Sequence, residues 1–331
     1  MIPLRFDPTR IERPLTQEEC DNQVFQEVKS PTYPLAQSSV IRMNSTFLEC
    51  VDSEYKIRGF NAFISGMGFT IVIPMMVFIL YFTIEGWSGY SASERKEMVI
   101  ITSGIWFVGI FFMLLDRYIL LRREIFSYTH FPIRFNRKTH KVHVFRQDGT
   151  VMTEHWDRLF FYVGVGVRVW ERGVRCNRLT RNGDIVLETF VLPHSTVKDD
   201  LFLLSFWEYV RRYMEGGERD LKELAAQVDV VVDVAERRET FSVGLGVTTL
   251  DVLGPRPSFF RFLLMTPVIY SGAFFRWLAQ KTNEVPIWPA EIEAQCRIEP
   301  NDPYLRDRDN LSPKGAWKMP RELKEMIRRN G

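Results

Sequence analysis

Several features that would decide a protein's class are missing from this sequence. Its four cysteines, Cys20, Cys50, Cys176 and Cys296, are scattered over 331 residues. No two form a CxxC pair, which argues against a disulfide framework and a cysteine zinc site. A surplus of either charge is missing too. The 43 Lys plus Arg against 41 Asp plus Glu leave +2, so no basic footprint points to nucleic acid. The opening "MIPLRFDPTRIERPLTQEEC" has no apolar core behind a basic start and does not read as a secretory signal. No nucleophile elbow or kinase signature occurs. "GLGVTTL" lacks the Lys-Ser/Thr that would make it a phosphate loop. His140 and His143 have H-x-x-H spacing, and Glu154 and Asp157 flank Trp156. On a strand, residues three apart face opposite sides. The expectation is therefore no catalytic residues, no metal, no cofactor and no enzymatic activity.

The most informative absence is local. Residues 59–84, "GFNAFISGMGFTIVIPMMVFILYFTI", hold no Asp, Glu, Lys, Arg or His. About 20 apolar residues suffice to cross some 30 Å of hydrocarbon, and a buried core helix seldom lacks a polar face for so many turns. Pro74 breaks a helix in water but is tolerated as a kink in a bilayer. Gly66 and Gly68 suit close approach of a neighbouring helix. A second run, 98–121, begins with 18 uncharged positions and ends near Asp116 and Arg117. That pair reads as an intramembrane relay or, more simply, as an interfacial pair that ends the span. The short loop between the runs predicts an antiparallel hairpin. Nine Lys and Arg flank the outer ends of the runs and two lie in the loop. By the positive-inside rule both termini are expected to face the cytoplasm.

The period changes after Glu124. Short alternating segments between 131 and 193, punctuated by Asp148-Gly149 and Asn182-Gly183, read as five to seven antiparallel strands. A helix then follows, capped by Ser195 or Thr196, with Asp199 and Asp200 in its first turn. Its apolar stripe is Leu201, Leu204, Trp207, Val210 and Met214. The expected fold is an α+β membrane protein. A transmembrane helical hairpin precedes a cytoplasmic, pleckstrin-homology-like (PH-like) small antiparallel β domain with a C-terminal helix and an α-helical or extended tail. A simpler α+β domain is the alternative.

The expected divisions are an N-terminal arm over 1–58, the hairpin over 59–121 (spans 59–84 and 98–121), the β domain over 122–217 and the tail over 218–331. The tail is expected to open with a helix at 218–238, then a Gly-rich connection, and to end in a basic helix at 320–329. Its apolar stretch near 258–280 has only 14 uncharged residues between Arg261 and Arg276 and is cut by Pro267. It is expected to lie at the interface or to dock, and the Pro-rich tail after it to wrap over the domain as extended chain, with Trp288 and Trp317 as isolated anchors. Arg122, Arg123, Arg134, Arg137, Lys138 and Lys141 form a basic stretch. It either contacts anionic lipid headgroups or serves topology alone.

The tract "FPIRFNRKTHKVHVFRQDGTV", continued by "HWDRLFFYV" and by the distant "PIWPAEIEAQCRIEPNDPY", resembles a family of uncharacterised proteobacterial two-span membrane proteins encoded near type VI secretion genes. The likeness carries no catalytic residues. It implies a neighbourhood: an immunity or accessory protein that binds a protein partner such as a secreted effector. A membrane-surface headgroup-binding module or enzyme is the alternative. Membrane lipids are the other expected partner, a homo-oligomer is compatible, and nucleic acid is not expected.

Overall fold

The computed structural model describes residues 12–166, 171–196, 200–254 and 258–311, without the side chains of residues 123, 195, 196 and 200. In chain order the elements are β1 (Arg13–Pro14), α1 (Gln17–Asp21), β2 (Gln23–Val24), β3 (Val40–Met43), β4 (Phe47–Cys50), α2 (Phe60–Glu85) and α3 (Ala92–Ile119). Then come β5 (Ile133–Asn136), β6 (Lys141–Phe145), β7 (Val151–His155), β8 (Leu159–Val165), β9 (Arg172–Leu179) and β10 (Ile185–Thr196). The last are α4 (Asp200–Glu215), α5 (Glu218–Gln227), α6 (Phe241–Leu253), α7 (Phe259–Thr282) and α8 (Ala290–Gln295). Expectations for Asp199, Trp317 and the helix at 320–329 fall outside the described residues.

The chain forms two units, each assembled from separated stretches. The first comprises Met1–Tyr55, His130–Arg237 and Val285–Gly331. It carries two five-stranded antiparallel sheets, in the orders β1-β10-β9-β8-β2 and β3-β4-β5-β6-β7. Alternation explains the second sheet. In β6, Val142 and Val144 join the core, while His143 points to the other face beside Arg134 and Thr153 of the neighbouring strands. Gly149 and Gly183 have φ of 81° and 80° at the two expected turns, where a side chain would be strained. Trp156, Phe161 and Trp207 stack at the centre of the core.

Helix α4 closes that core with Leu203, Phe206, Trp207, Tyr209, Val210, Tyr213 and Met214. Leu201 and Leu204 are only partly buried, and Ser195 and Thr196 are the last residues of β10, while the expected cap lies outside the described residues. The N-terminal stretch is more ordered than an arm: β3 and β4 extend the second sheet, with Cys50 opposite Ile133. The helix expected over 218–238 stops at Gln227. Beyond it lie β-branched residues, and Val232 N–H donates to the Val40 carbonyl at 2.8 Å.

The second unit comprises Lys56–Thr129 and Arg238–Glu284. It contains three helices long and apolar enough to cross a membrane, so a two-helix hairpin does not account for it. The third is α7, which runs unbroken through Pro267 for 24 residues, or about 36 Å at the usual rise. Counting charges between Arg261 and Arg276 underestimates it, because Arg276 is buried within the unit rather than ending a span. "GLGVTTL" is not a connection but part of α6, which Thr240 caps by accepting from Val243 N–H at 3.4 Å. At 13 residues, about 20 Å, α6 is too short to cross. It runs back along α7: Arg261 donates to the Val252 carbonyl at 3.0 Å near one end, and Glu239 meets Arg276 near the other.

Helices α2 and α3 form an antiparallel pair. Thr102, Gly109 and Asp116 recur every seven residues on α3, the spacing of a left-handed helix seam. Thr83 and Thr102 hydroxyls bond at 2.8 Å. Gly109 leaves room for the Met76 side chain, and Ser65 donates to Asp116 at 3.0 Å. Gly66 lies under the Phe275 ring of α7, whereas Gly68 has open space.

Candidate functional site

The helical unit gathers its buried charge at one end. Glu239 sits one residue before the cap of α6, and Arg276 lies in the closing turns of α7. Arg276 is 2% exposed. Its Nε and Nη2 donate to the two Glu239 oxygens at 2.7 Å each, and Nη1 donates to the carbonyls of Lys56 and Arg58 at 3.1 Å. A guanidinium paired in this fork-on-fork way has its donors satisfied without water. Gly59 permits the approach. Its φ is 90°, and a Cβ there would stand 2.5 Å from the Arg276 Cα.

Gly59 offers no side chain to cap α2. Glu124 supplies the acceptor instead, taking Asn61 N–H at 3.2 Å and Ala62 N–H at 2.8 Å. Burial pushes the Glu124 carboxyl above its ordinary range, against the pull of these amides and of Arg58. Asn283 bonds the Glu124 carbonyl at 2.7 Å and accepts from Ser127 N–H at 2.8 Å. Arg58 donates to the Tyr128 carbonyl, Arg238 to the Asn283 carbonyl, and Thr129 N–H to the Glu284 carbonyl. All four ends of the unit are thus tied into one hydrogen-bonded buckle.

A second buried charge belongs to the β unit. Arg134, 2% exposed, ion-pairs with Glu49 across β4 and β5 at 3.3 Å and with Glu293 of α8 at 2.8 Å. Its guanidinium lies 4.7 Å from both the Phe47 and Trp288 ring centres, a cation between two π faces. Trp288 Nε1 donates to Glu49 at 2.7 Å. Behind Arg134, His143 is fully buried, with Nδ1 against the Thr153 hydroxyl at 2.8 Å. Burial first, and then Arg134 and Lys141, push His143 down to about 4.

The basic residues named from sequence have different surroundings. Arg134 is enclosed, Arg137 donates to the Gly216 carbonyl, and Lys138 pairs with Glu299. Lys141 is half-buried on β6, while Arg122 is exposed, 5.7 Å from the Tyr118 ring centre. The Arg123 side chain lies outside the described residues. Asp116 and Arg117 also part company: Asp116 faces Ser65, and Arg117 stacks over Phe126 at 5.8 Å. Sequence reasoning missed the Glu239–Arg276, Glu124 and Glu49–Arg134–Glu293 groupings. The available signal was Glu239 and Arg276 themselves, opposite charges embedded beside apolar runs, where each demands a partner.

Fold and buried charges define an α/β protein with two antiparallel sheets, eight helices among the described residues, and three helices of membrane-spanning length and character. The chain belongs to DUF6708, a family of unknown function, whose model matches residues 110–300. That match takes in Asp116, the Glu239–Arg276 pair and Arg134, and begins after α2. Neither a curated protein nor a solved structure matches the chain.

Proposed function

We propose that this is a non-enzymatic bacterial inner-membrane protein that presents a protein-binding β unit on the cytoplasmic side. The observation that carries the reading is the buckle. With Lys56, Thr129, Arg238 and Glu284 at one end of the helical unit, the α2–α3 hairpin enters and leaves a bilayer on one side, and the α6–α7 pair starts and ends on that same side without a full crossing by α6. The excess of Lys and Arg flanking the first hairpin makes that side the cytoplasmic one. The buried Arg276 and Arg134 spend their charges on Glu239, Glu49 and Glu293, which supports a structural role for these groups. The order β5 to β10 followed by α4 supports a PH-like arrangement, a binding scaffold rather than a catalytic one. The resemblance described above suggests the partner: a secreted effector or a component of a type VI secretion system, with this chain as immunity or accessory protein.

The test is affinity purification of the full chain from detergent extracts together with the product of an adjacent toxin gene, paired with a deletion strain. Stable co-purification and self-intoxication of the deletion strain are expected. A deletion strain with unchanged viability and unchanged secretion overturns the reading.

The headgroup-binding alternative keeps one favourable observation, the exposed Arg122 beside Tyr118 near the end of α3. Charge reversal at Arg122 and Lys141 tests it. Loss of binding to anionic vesicles with normal membrane insertion supports that alternative, and unchanged binding removes it.

A further inference from the structure

We infer that the β unit carries a divalent transition-metal site formed by His140, Asp157 and Glu215. The three residues come from different elements. His140 ends the β5–β6 turn with φ of 53°, Asp157 sits in the single helical turn between β7 and β8, and Glu215 is the last residue of α4. One ligand atom from each lies within 4.8 Å of the other two. The closest approaches are His140 Nδ1 to Asp157 Oδ2 at 3.2 Å and His140 Nε2 to Glu215 Oε1 at 3.6 Å. Ligands about 2.0–2.2 Å from a zinc ion in a tetrahedral shell stand roughly 3.3 Å from one another. The two carboxylates meet different ring nitrogens, so the Asp157 side chain, 68% exposed, would have to swing for both to share one metal with the imidazole.

Two further features fit a metal better than a plain ion pair. First, the Glu215 oxygen nearest His140 is itself held in place. Trp156 Nε1 donates to Glu215 Oε1 at 2.6 Å, and the Trp156 indole is fully buried against Trp207 and Phe161. A ligating carboxylate fixed by an outer hydrogen-bond donor is the usual support of a metal shell. The backbone completes the frame, since Trp156 N–H donates to the His140 carbonyl at 2.9 Å. Second, the charge is right: one neutral imidazole and two carboxylates carry −2, which a divalent cation balances and an imidazolium only halves. One imidazole with two carboxylate oxygens suits Zn²⁺ or another first-row divalent ion, with the remaining positions taken by water. Bound metal would join the end of α4 to the turns of both sheets.

The competing account is an imidazolium held between two carboxylates with no metal. Isothermal titration of Zn²⁺ into the full-length, chelator-treated protein in detergent separates the two. It is run in a Cys20→Ser background to remove the exposed thiol, with thermal melting recorded with and without the ion. One equivalent is expected to bind and to raise the melting temperature. His140→Ala and Asp157→Asn are each expected to weaken binding at least about tenfold, while His155→Ala on the neighbouring strand leaves it unchanged. The inference is overturned if the parent protein takes up no Zn²⁺. It is equally overturned if His140→Ala and Asp157→Asn bind as the parent does, or if they lower the melting temperature by the same amount with and without Zn²⁺.

Discussion

His143 shows how a single side chain can set an acid limit. In the unfolded chain it titrates near 6.5, and in the fold it is held down to about 4 by burial and by Arg134. Its folded value is depressed, so the neutral form is favoured in the fold. The associated stability is present above about pH 6.5 and is lost as pH falls toward 4. The separation corresponds to a few kcal/mol, on the order of 3. Chemical denaturation between pH 7 and 4 should show this slope, and His143→Gln should flatten it. An unchanged slope in the variant would place the acid sensitivity elsewhere. Arg276 and Glu239 offer a second residue-level test. Glu239→Gln leaves a buried guanidinium half-paired and should cost roughly 3–5 kcal/mol. Adding Arg276→Met to it should recover part of that loss, because the stranded charge goes with it. Strict additivity in the cycle would mean the two side chains act separately.

At the scale of elements, two glycines of α2 and its cap make opposite predictions although they sit nine residues apart. A methyl group at Gly59 collides with the Arg276 backbone and must also adopt a φ of 90°, whereas at Gly68 nothing lies within 4 Å. Gly59→Ala should lower the melting temperature of the detergent-solubilised protein markedly, and Gly68→Ala should leave it close to the parent. Equal effects would show that α2 and α7 do not pack as described.

The same elements show what could be read from sequence. The length and apolar character of α2 and α3 were legible because 18 or more residues without charge mark a segment suited to a bilayer. The hairpin turns were legible because Asp-Gly and Asn-Gly impose their own backbone. Helix α6 was hidden, since its glycines read as a linker and its start depends on Thr240. The extent of α7 was hidden for another reason: Arg276 looks like the end of a span until Glu239, 37 residues upstream, is seen to neutralise it. The lipid-facing role imagined for Arg134 failed to foresee Glu49 and Glu293, which reach it from strand pairing and from the distant C-terminal stretch. No local pattern announces either. The His140 cluster was missed because the H-x-x-H pair drew attention to His143, which faces Thr153 instead.

For the whole molecule, sidedness is the quantity to measure. In a Cys20→Ser background, a cysteine placed at Ser88 between α2 and α3 should react with a membrane-impermeant thiol reagent in intact cells. One placed at the exposed Lys29 should react only after lysis. The opposite labelling pattern would invert the proposed orientation, and recovery of the protein in the supernatant after high-speed centrifugation without detergent would remove the bilayer altogether.

The interleaving of the two units also bears on how the polypeptide is made. The first hairpin leaves the ribosome well before Glu239 and Arg276, so for more than two hundred residues of synthesis Gly59 awaits Arg276. The surroundings of Arg134 cannot be completed in that interval either, because Trp288 and Glu293 follow Arg276 in the chain. A protease that cuts near Arg238 therefore parts Gly59 from Arg276 and Arg134 from Glu293, leaving two unfinished halves rather than one sound domain. Quality control in the cell would meet this chain as a single all-or-nothing product.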